Sequence, residues 1–190
     1  MKEALSVFAG LLYLAAFAPY ISAIVRKETK PAKASWLIWA VLDTIILAGM
    51  VAGGAVNGQI AGAAFGSWIV VLLATKHGVS GWTTLDKLCF GGALLAIVLW
   101  QVFQDPVLGI VTSLIAYSLG FAPTIASALK DSSRENKLAW LLFWVSSVCS
   151  LVAVPVWTVA DAAQPVTFLF MNSVMMYILL VRSPALATSK

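Results

Sequence analysis

The chain contains few of the residue types that usually perform catalysis or bind metals. It has one histidine, two cysteines and only 11% charged residues among its 190. Cys89 and Cys149 are single thiols without the paired spacing of a disulfide or metal motif. A glycine-rich phosphate loop and a serine, histidine and aspartate set are also missing. The sequence therefore gives no support for an enzyme, a catalytic residue, a metal site or a cofactor.

Apolar residues are what the chain has in abundance. Hydrophobic residues make up 61% of the sequence, and the mean hydropathy is +0.95, far outside the range of soluble domains. A helix of about 20 residues spans a bilayer core about 30 Å thick. Runs of this kind predict an all-α membrane protein with seven transmembrane helices, at 4–25, 35–53, 58–75, 88–103, 107–129, 138–159 and 165–181.

A duplication organises these runs. Phe17, Ala18 and Pro19 recur 104 residues later as 121–123, and Trp36 recurs as Trp140 at the same offset. The fourth run has no partner at this offset. We therefore predict two parallel three-helix repeats joined by a linker helix, a 3+1+3 arrangement used by transporters. The predicted boundaries are 1–76 for the first repeat, 77–105 for the linker loop and helix, and 106–190 for the second repeat.

The distribution of lysine and arginine predicts the orientation. With the amino terminus outside, eleven of the twelve basic residues lie at cytoplasmic helix ends, and only Lys2 lies outside. This predicts a multi-pass protein of the plasma, or inner, membrane with a cytoplasmic carboxyl terminus. It also accounts for the formal charge of +4 without nucleic-acid binding. The first run could be a cleaved signal peptide, but the same pattern recurs at 121–123, so we expect it to be retained.

The motif at 17–21, the basic segment from Arg26 to Lys30 and the pair Ser35 and Trp36 together resemble the PQ-loop and SWEET superfamily. The resemblance covers both repeats and the linker helix, although Tyr20 and Thr124 replace the glutamine that follows the proline in that family. It implies a transporter that alternates access to a central site. The segment 35–39 also looks like vitamin transporters of the same fold class.

Asp43 is the only ionisable residue well inside a predicted span. It lies eight residues into the second run, about 12 Å deep at about 1.5 Å per residue. A charge there costs at least about 2.5–3.5 kcal/mol, so the side chain should face the bundle interior or a wet cavity. Asp43 is either a structural carboxyl group or a substrate ligand and proton-coupling candidate. Its partner in the second repeat is Ser147.

Two pairs of tryptophans share helix faces with these polar residues: Trp36 and Trp39 on the second helix, and Trp140 and Trp144 on the sixth. The paired faces resemble the stacking walls that hold ring-shaped solutes in SWEETs. The alternative is an interfacial belt, which applies most strongly to Trp36 and Trp140 near the helix ends.

Asn172 and Trp68 occupy equivalent positions in the seventh and third helices. The family resemblance implies a substrate-binding asparagine at both positions, and this chain keeps only Asn172. The alternative role for Asn172 is a hydrogen bond between helices. Three prolines, Pro19, Pro123 and Pro155, are hinge candidates or static kinks.

Glycines recur every four residues before and within the third helix, which predicts close helix packing rather than a binding site. They are Gly54, Gly58, Gly62 and Gly66.

We therefore expect a transporter of a small polar solute, sugar-like or another metabolite, which works by alternating access and can couple to protons through Asp43. Its expected partners are the solute and the lipid bilayer, and homo-oligomers are compatible with the sequence. Alternatives are a vitamin or amino-acid transporter, or a non-transporting receptor like the KDEL receptor. The expected substrate-binding residues are Trp39, Asp43, Trp68, Trp144, Ser147 and Asn172, with a weaker expectation for Trp36 and Trp140.

Overall fold

The computed structural model describes residues 1–28, 30–130, 132 and 135–181, apart from the side chains at 123, 126, 127 and 130. Its described residues form seven helices without a strand, and a single β-bridge joins Ala32 to Val79. The prediction of an all-helical chain with seven helices is confirmed. The helices are α1 (Lys2–Val25), α2 (Lys33–Ala52), α3 (Gly58–His77), α4 (Thr84–Phe103), α5 (Pro106–Lys130), α6 (Lys137–Ala153) and α7 (Val159–Val181).

Polar side chains cap several helices at their amino ends. Asn57 accepts a hydrogen bond from the Ile60 amide at 3.0 Å and begins α3. Asn136 does the same for α6, through the Ala139 amide at 3.0 Å. These caps satisfy amide groups that would otherwise lack partners.

The predicted boundary between the sixth and seventh helices was wrong. Helix α6 ends at Ala153, and α7 begins at Val159, six residues earlier than predicted. Pro155 lacks an amide hydrogen and cannot continue the helix. Thr158 then caps α7 by accepting a hydrogen bond from the Asp161 amide at 3.1 Å.

Only one of the three hinge candidates is a proline inside a helix with a described side chain. Pro19 lies within α1. Pro155 follows α6 and ends it, so it does not bend a membrane helix as predicted. Pro123 falls in α5 with its side chain outside the described residues.

The helices pack in a recurring pattern. Helix α3 packs against both α1 and α2, and α7 packs against both α5 and α6. Across the bundle α1 contacts α6, and α2 contacts α5. Helix α4 packs against α5 and, less extensively, against α2.

The contacts also give the helix directions. Ser6 accepts a hydrogen bond from the Gly58 amide at 2.8 Å, and Phe17 lies against Gly66, so α1 and α3 run in the same direction. Lys2 donates to the Val154 carbonyl at 2.8 Å, so α1 and α6 run in opposite directions. The connections of the bundle therefore alternate between its two ends.

Glycines allow the close approach of α1 and α3. A Cβ atom at Gly10, Gly58 or Gly62 would overlap the backbone of the facing helix, and one at Gly66 would overlap the Phe17 ring. The predicted packing surface therefore exists. Gly54 is not part of it, because it precedes α3 and has open space around it.

The surface of the bundle is consistent with a membrane-embedded protein. Five helices, α1, α2, α3, α4 and α7, are long and apolar enough to cross a bilayer. Helix α6 and the apolar segment Pro106–Ala122 of α5 are shorter. Large apolar side chains are exposed on the outside of the bundle, which is rare in soluble monomers. Examples are Phe8, Phe65, Leu94, Ile115, Phe170 and Leu180.

Candidate functional site

A cavity of about 870 Å³ lies inside the bundle, lined by all the helices except α4. Glu28, Ala32 and Asn136 are exposed and form its mouth, beside the connections from α1 to α2 and from α5 to α6. Its deep end is lined by the buried residues Asp43 and Asn172. The cavity therefore extends from one end of the bundle to the level of Asp43.

Equivalent positions of the duplication line this cavity. At the start of α2 the lining residues are spaced i, i+3, i+4 and i+7, from the preceding residue Ala32 to Trp39. The same four positions line the cavity at the start of α6, from the preceding residue Asn136 to Phe143. Between α1 and α5, three pairs of equivalent positions line it, at 13 and 117, 17 and 121, and 20 and 124. Aromatic side chains occupy four of the equivalent pairs: Tyr13 and Tyr117, Phe17 and Phe121, Trp36 and Trp140, and Trp39 and Phe143.

Six lining aromatic residues form a closed ring of side-chain contacts. Neighbouring ring centroids lie 5.1 to 6.3 Å apart, within the usual range for aromatic pairs. These residues come from four different helices, α1, α2, α5 and α7, so they enclose one space between those helices. In order they are Trp36, Trp39, Tyr117, Phe168, Tyr13 and Phe17.

Hydrogen bonds orient the two tryptophans nearest the mouth. The Trp36 indole donates from Nε1 to the Tyr20 hydroxyl at 3.1 Å. The Trp140 indole donates from Nε1 to the Glu135 carboxylate at 2.9 Å. These contacts fix both rings as parts of the cavity wall.

Asp43 lacks a complete set of partners. Its side chain is only 2% exposed, and its buried Oδ1 has no hydrogen-bond partner. Ser67 lines the cavity beside it, and the phenol groups of Tyr13 and Tyr117 lie within electrostatic range. An unsatisfied carboxyl oxygen is costly in an apolar interior. Asp43 is therefore placed to take a ligand or a proton from the cavity.

Asn172 and Ser147 lie at different depths. Asn172 lines the cavity and donates from Nδ2 to the Ser147 hydroxyl at 2.8 Å. Ser147 is fully buried behind the cavity wall, where it also accepts from Gln59 Nε2 at 2.7 Å and donates to the Phe143 carbonyl at 2.9 Å. Its hydroxyl is thus satisfied within the protein and does not reach the cavity.

The hydrogen bonds continue toward the closed end of the bundle. Gln164 donates from Nε2 to Gln59 Oε1 at 3.0 Å, and Asn57 donates from Nδ2 to Gln164 Oε1 at 2.8 Å. Both glutamines are fully buried. We did not predict this amide chain, although Gln59 is a polar residue inside a predicted span and could have indicated it.

Two predicted binding tryptophans lie away from the cavity. Trp68 is 39% exposed on the outside of the bundle and donates from Nε1 to Thr44 Oγ1 at 3.0 Å. Trp144 donates from Nε1 to Ser173 Oγ at 2.9 Å and is not part of the lining. Trp144 is one position beyond Phe143, the true equivalent of Trp39, so it points to a different side of α6.

The structure therefore brings five of the eight predicted binding residues to one cavity: Trp36, Trp39, Asp43, Trp140 and Asn172. It leaves out Trp68, Trp144 and Ser147. The described part of the chain contains no cluster of residues that could hold a metal ion. No family model, curated protein or solved structure matches this chain.

Proposed function

We propose that this chain is a membrane transporter of a small solute and that the cavity is its binding site. The observation that carries the proposal is the lining by equivalent positions of the two halves. A site shared by two similar halves can open to one side or the other as they rock against each other. The volume of about 870 Å³ suits a small molecule.

The proposed architecture is the predicted one, with a repeat at 1–76, a linker at 77–105 and a repeat at 106–190. The recurring contacts of α3 with α1 and α2, and of α7 with α5 and α6, support it. Helix α4 returns the chain to the starting side, so that both repeats run in the same direction.

The proposed orientation has the amino terminus outside and the cavity mouth in the cytoplasm. The described basic residues Arg26, Lys27, Lys30, Lys33, Lys76, Lys87 and Lys137 lie at or beside the helix ends on the mouth side, in agreement with the positive-inside rule. The opposite end is closed by the Lys2 contact with α6 and by the amide chain from Asn57 to Asn172. Opening toward the outside would require α1 and α3 to separate from α6 and α7 at this end.

Proton coupling through Asp43 is the version of this proposal that the site favours, because this carboxyl group is buried, incompletely paired and in contact with the cavity. A receptor for charged peptide ends would need basic side chains in the cavity. The described lining contains no lysine or arginine, so we prefer transport.

Counterflow tests the proposal. A thermal-stability screen of the purified protein against sugars, amines, amino acids and vitamins would first identify a stabilising solute. Proteoliposomes preloaded with that solute should then transiently accumulate its labelled form. Phe168→Trp, which fills the cavity, should abolish this uptake, whereas Phe170→Trp, on the exposed surface, should not. Binding without exchange would contradict transport and favour a receptor.

A further inference from the structure

The charged groups of the cavity are all acidic among its described lining residues. Glu28 and Glu135 lie at the mouth, and Asp43 lies at the deep end. The basic residues that share the mouth end, such as Lys27 and Lys30, are outside the lining. A solute moving inward from the mouth therefore meets carboxyl groups at both stages of its path.

The two mouth carboxylates belong to opposite halves of the bundle. Glu28 follows α1 and is exposed, whereas Glu135 precedes α6 and is held by the Trp140 indole at 2.9 Å. Carboxylates on both sides of an opening attract cations and repel anions, an effect that salt weakens.

The deep end combines an incompletely paired carboxyl group with aromatic rings. Asp43 Oδ1 has no partner, and Trp39, on the same face of α2, stacks against Tyr117 with ring centroids 6.3 Å apart. Aromatic faces attract cations, and more strongly where water is excluded. A positively charged nitrogen would satisfy Asp43 and contact the rings together.

Other solute classes fit these groups less well. A neutral sugar would bring no positive charge to pair with an Asp43 carboxylate. An amino acid would bring a carboxylate into a lining that offers three carboxyl groups and, among its described residues, no basic partner. Burying an unpaired like charge is strongly unfavourable.

We propose, on the basis of the transporter function above, that the solute is an organic monocation, an amine or quaternary ammonium compound without a carboxylate. Asp43 binds the charged nitrogen of the solute, and the six aromatic residues around the cavity enclose its apolar part. Glu28 and Glu135 attract the solute to the mouth.

Three small molecules with the same phenyl ring and two-carbon chain test this class. Phenethylamine carries an ammonium group, phenylalanine carries an ammonium group and a carboxylate, and 2-phenylethanol is neutral. Binding is measured by calorimetry on the full chain in nanodiscs at pH 7, with empty nanodiscs subtracted. Phenethylamine should bind at least about tenfold more tightly than either analogue, because only it pairs with Asp43 without adding a negative charge.

Substitutions assign the effect to the carboxyl groups. Asp43→Asn should weaken phenethylamine binding at least about tenfold and leave 2-phenylethanol binding nearly unchanged. Glu28→Gln and Glu135→Gln, which leave the buried interior intact, should each weaken it about two- to fivefold at low salt and less at high salt. Glu3→Gln, an exposed carboxyl group near the opposite end, is the matched control and should have no effect.

The failures of the two proposals differ. If sugars or amino acids bind and exchange while amines do not, the cation assignment is overturned and transport stands. Equal binding of the three phenyl compounds, or amine binding that is unaffected in all three cavity variants, would also overturn it. If amines bind as expected but counterflow is absent, the transporter proposal fails and the site remains a cation receptor.

Discussion

Position 43 in the first three helices and position 147 in the last three are equivalent in the duplication, but they behave differently. Asp43 reaches the cavity with an unpartnered oxygen, whereas Ser147 is buried behind the wall and makes hydrogen bonds to Gln59, Phe143 and Asn172. The two equivalent positions therefore have different surroundings. The position in the first three helices places a carboxyl group at the deep end of the cavity, and its equivalent places a hydrogen-bonded hydroxyl group behind the cavity wall.

The helix packing also differs between the first three and the last three helices. Glycines at positions 58, 62 and 66 let α3 approach α1 closely, and their equivalents on α7 are Ala162, Val166 and Phe170. Close approach of backbones stabilises helix pairs in a membrane through dispersion contacts. The first half is therefore expected to move as a tightly packed unit.

Removal of the Asp43 carboxyl group, which is a serine at the equivalent position 147, should change transport most. If Asp43 holds a proton and a cation alternately, Asp43→Asn should abolish accumulation of benzyltrimethylammonium driven by an inside-acidic pH gradient. Exchange should persist at saturating solute concentration. The groups that face Asp43 are Tyr13 on α1, Ser67 on α3 and Tyr117 on α5.

Uptake into proteoliposomes of wild type and variant measures this effect. Tyr13→Phe should retain gradient-driven accumulation, because it preserves the ring and Asp43. Unchanged accumulation in Asp43→Asn would exclude proton coupling through this residue.

A glycine substitution tests the difference in packing. Gly62→Ala places a Cβ atom against the Gly10 carbonyl and should destabilise the protein by about 1–3 kcal/mol. Gly91→Ala, on α4 where a Cβ atom meets open space, should not destabilise it. Thermal unfolding in detergent measures both, and equal melting temperatures for the two variants would show that α1 and α3 are not packed closely.

The support role of Ser147 predicts a loss of stability rather than of binding. Ser147→Ala removes a partner from both Gln59 and Asn172 and should cost about 1–2 kcal/mol of unfolding free energy. Ser150→Ala is a matched control, because Ser150 is buried on the same helix and its hydroxyl has no partner. A loss of solute affinity larger than the loss of stability would instead place Ser147 in the binding site.

Trp39 and Trp144 were both predicted to bind the solute, but their substitutions should affect solute binding differently. Trp39→Ala removes one of the six aromatic side chains that surround the cavity. It should weaken solute binding by about 0.5–1.5 kcal/mol. Trp144→Ala should leave solute binding unchanged, because this side chain donates a hydrogen bond to Ser173 outside the cavity. Fluorescence titration distinguishes the two, and equal losses would show that the cavity is not the site.

Much of this fold could be predicted because apolar runs of membrane length are long and distinct. The predicted end of the sixth helix was wrong because apolar residues continue past Ala153, whereas the helix itself ends before Pro155. Asp43 could be predicted to face the bundle interior, because a charged side chain within the bilayer costs free energy. Trp144 was paired with Trp39 because both are tryptophans. The offset of 104 residues instead pairs Trp39 with Phe143.

The rest depended on helix rotation and on partners distant in sequence. Trp68 and Ser67 are neighbours, and only the packing of α3 against α1 and α2 decides that Ser67 lines the cavity. The carboxylates at the mouth, Glu28 and Glu135, lie in polar connections more than 100 residues apart. Only the folded bundle brings them to the same opening.

Distances measured at the two ends of the bundle would show whether the cavity opens alternately to the two sides. Spin labels at Val56 and Trp157 report on the closed end, and labels at Arg26 and Lys137 report on the cavity mouth, in a background without Cys89 and Cys149. If access alternates, adding a transported solute should produce a new population with a longer distance at the closed end and a shorter distance at the mouth. Saturating solute that leaves both distances unchanged would contradict alternating access.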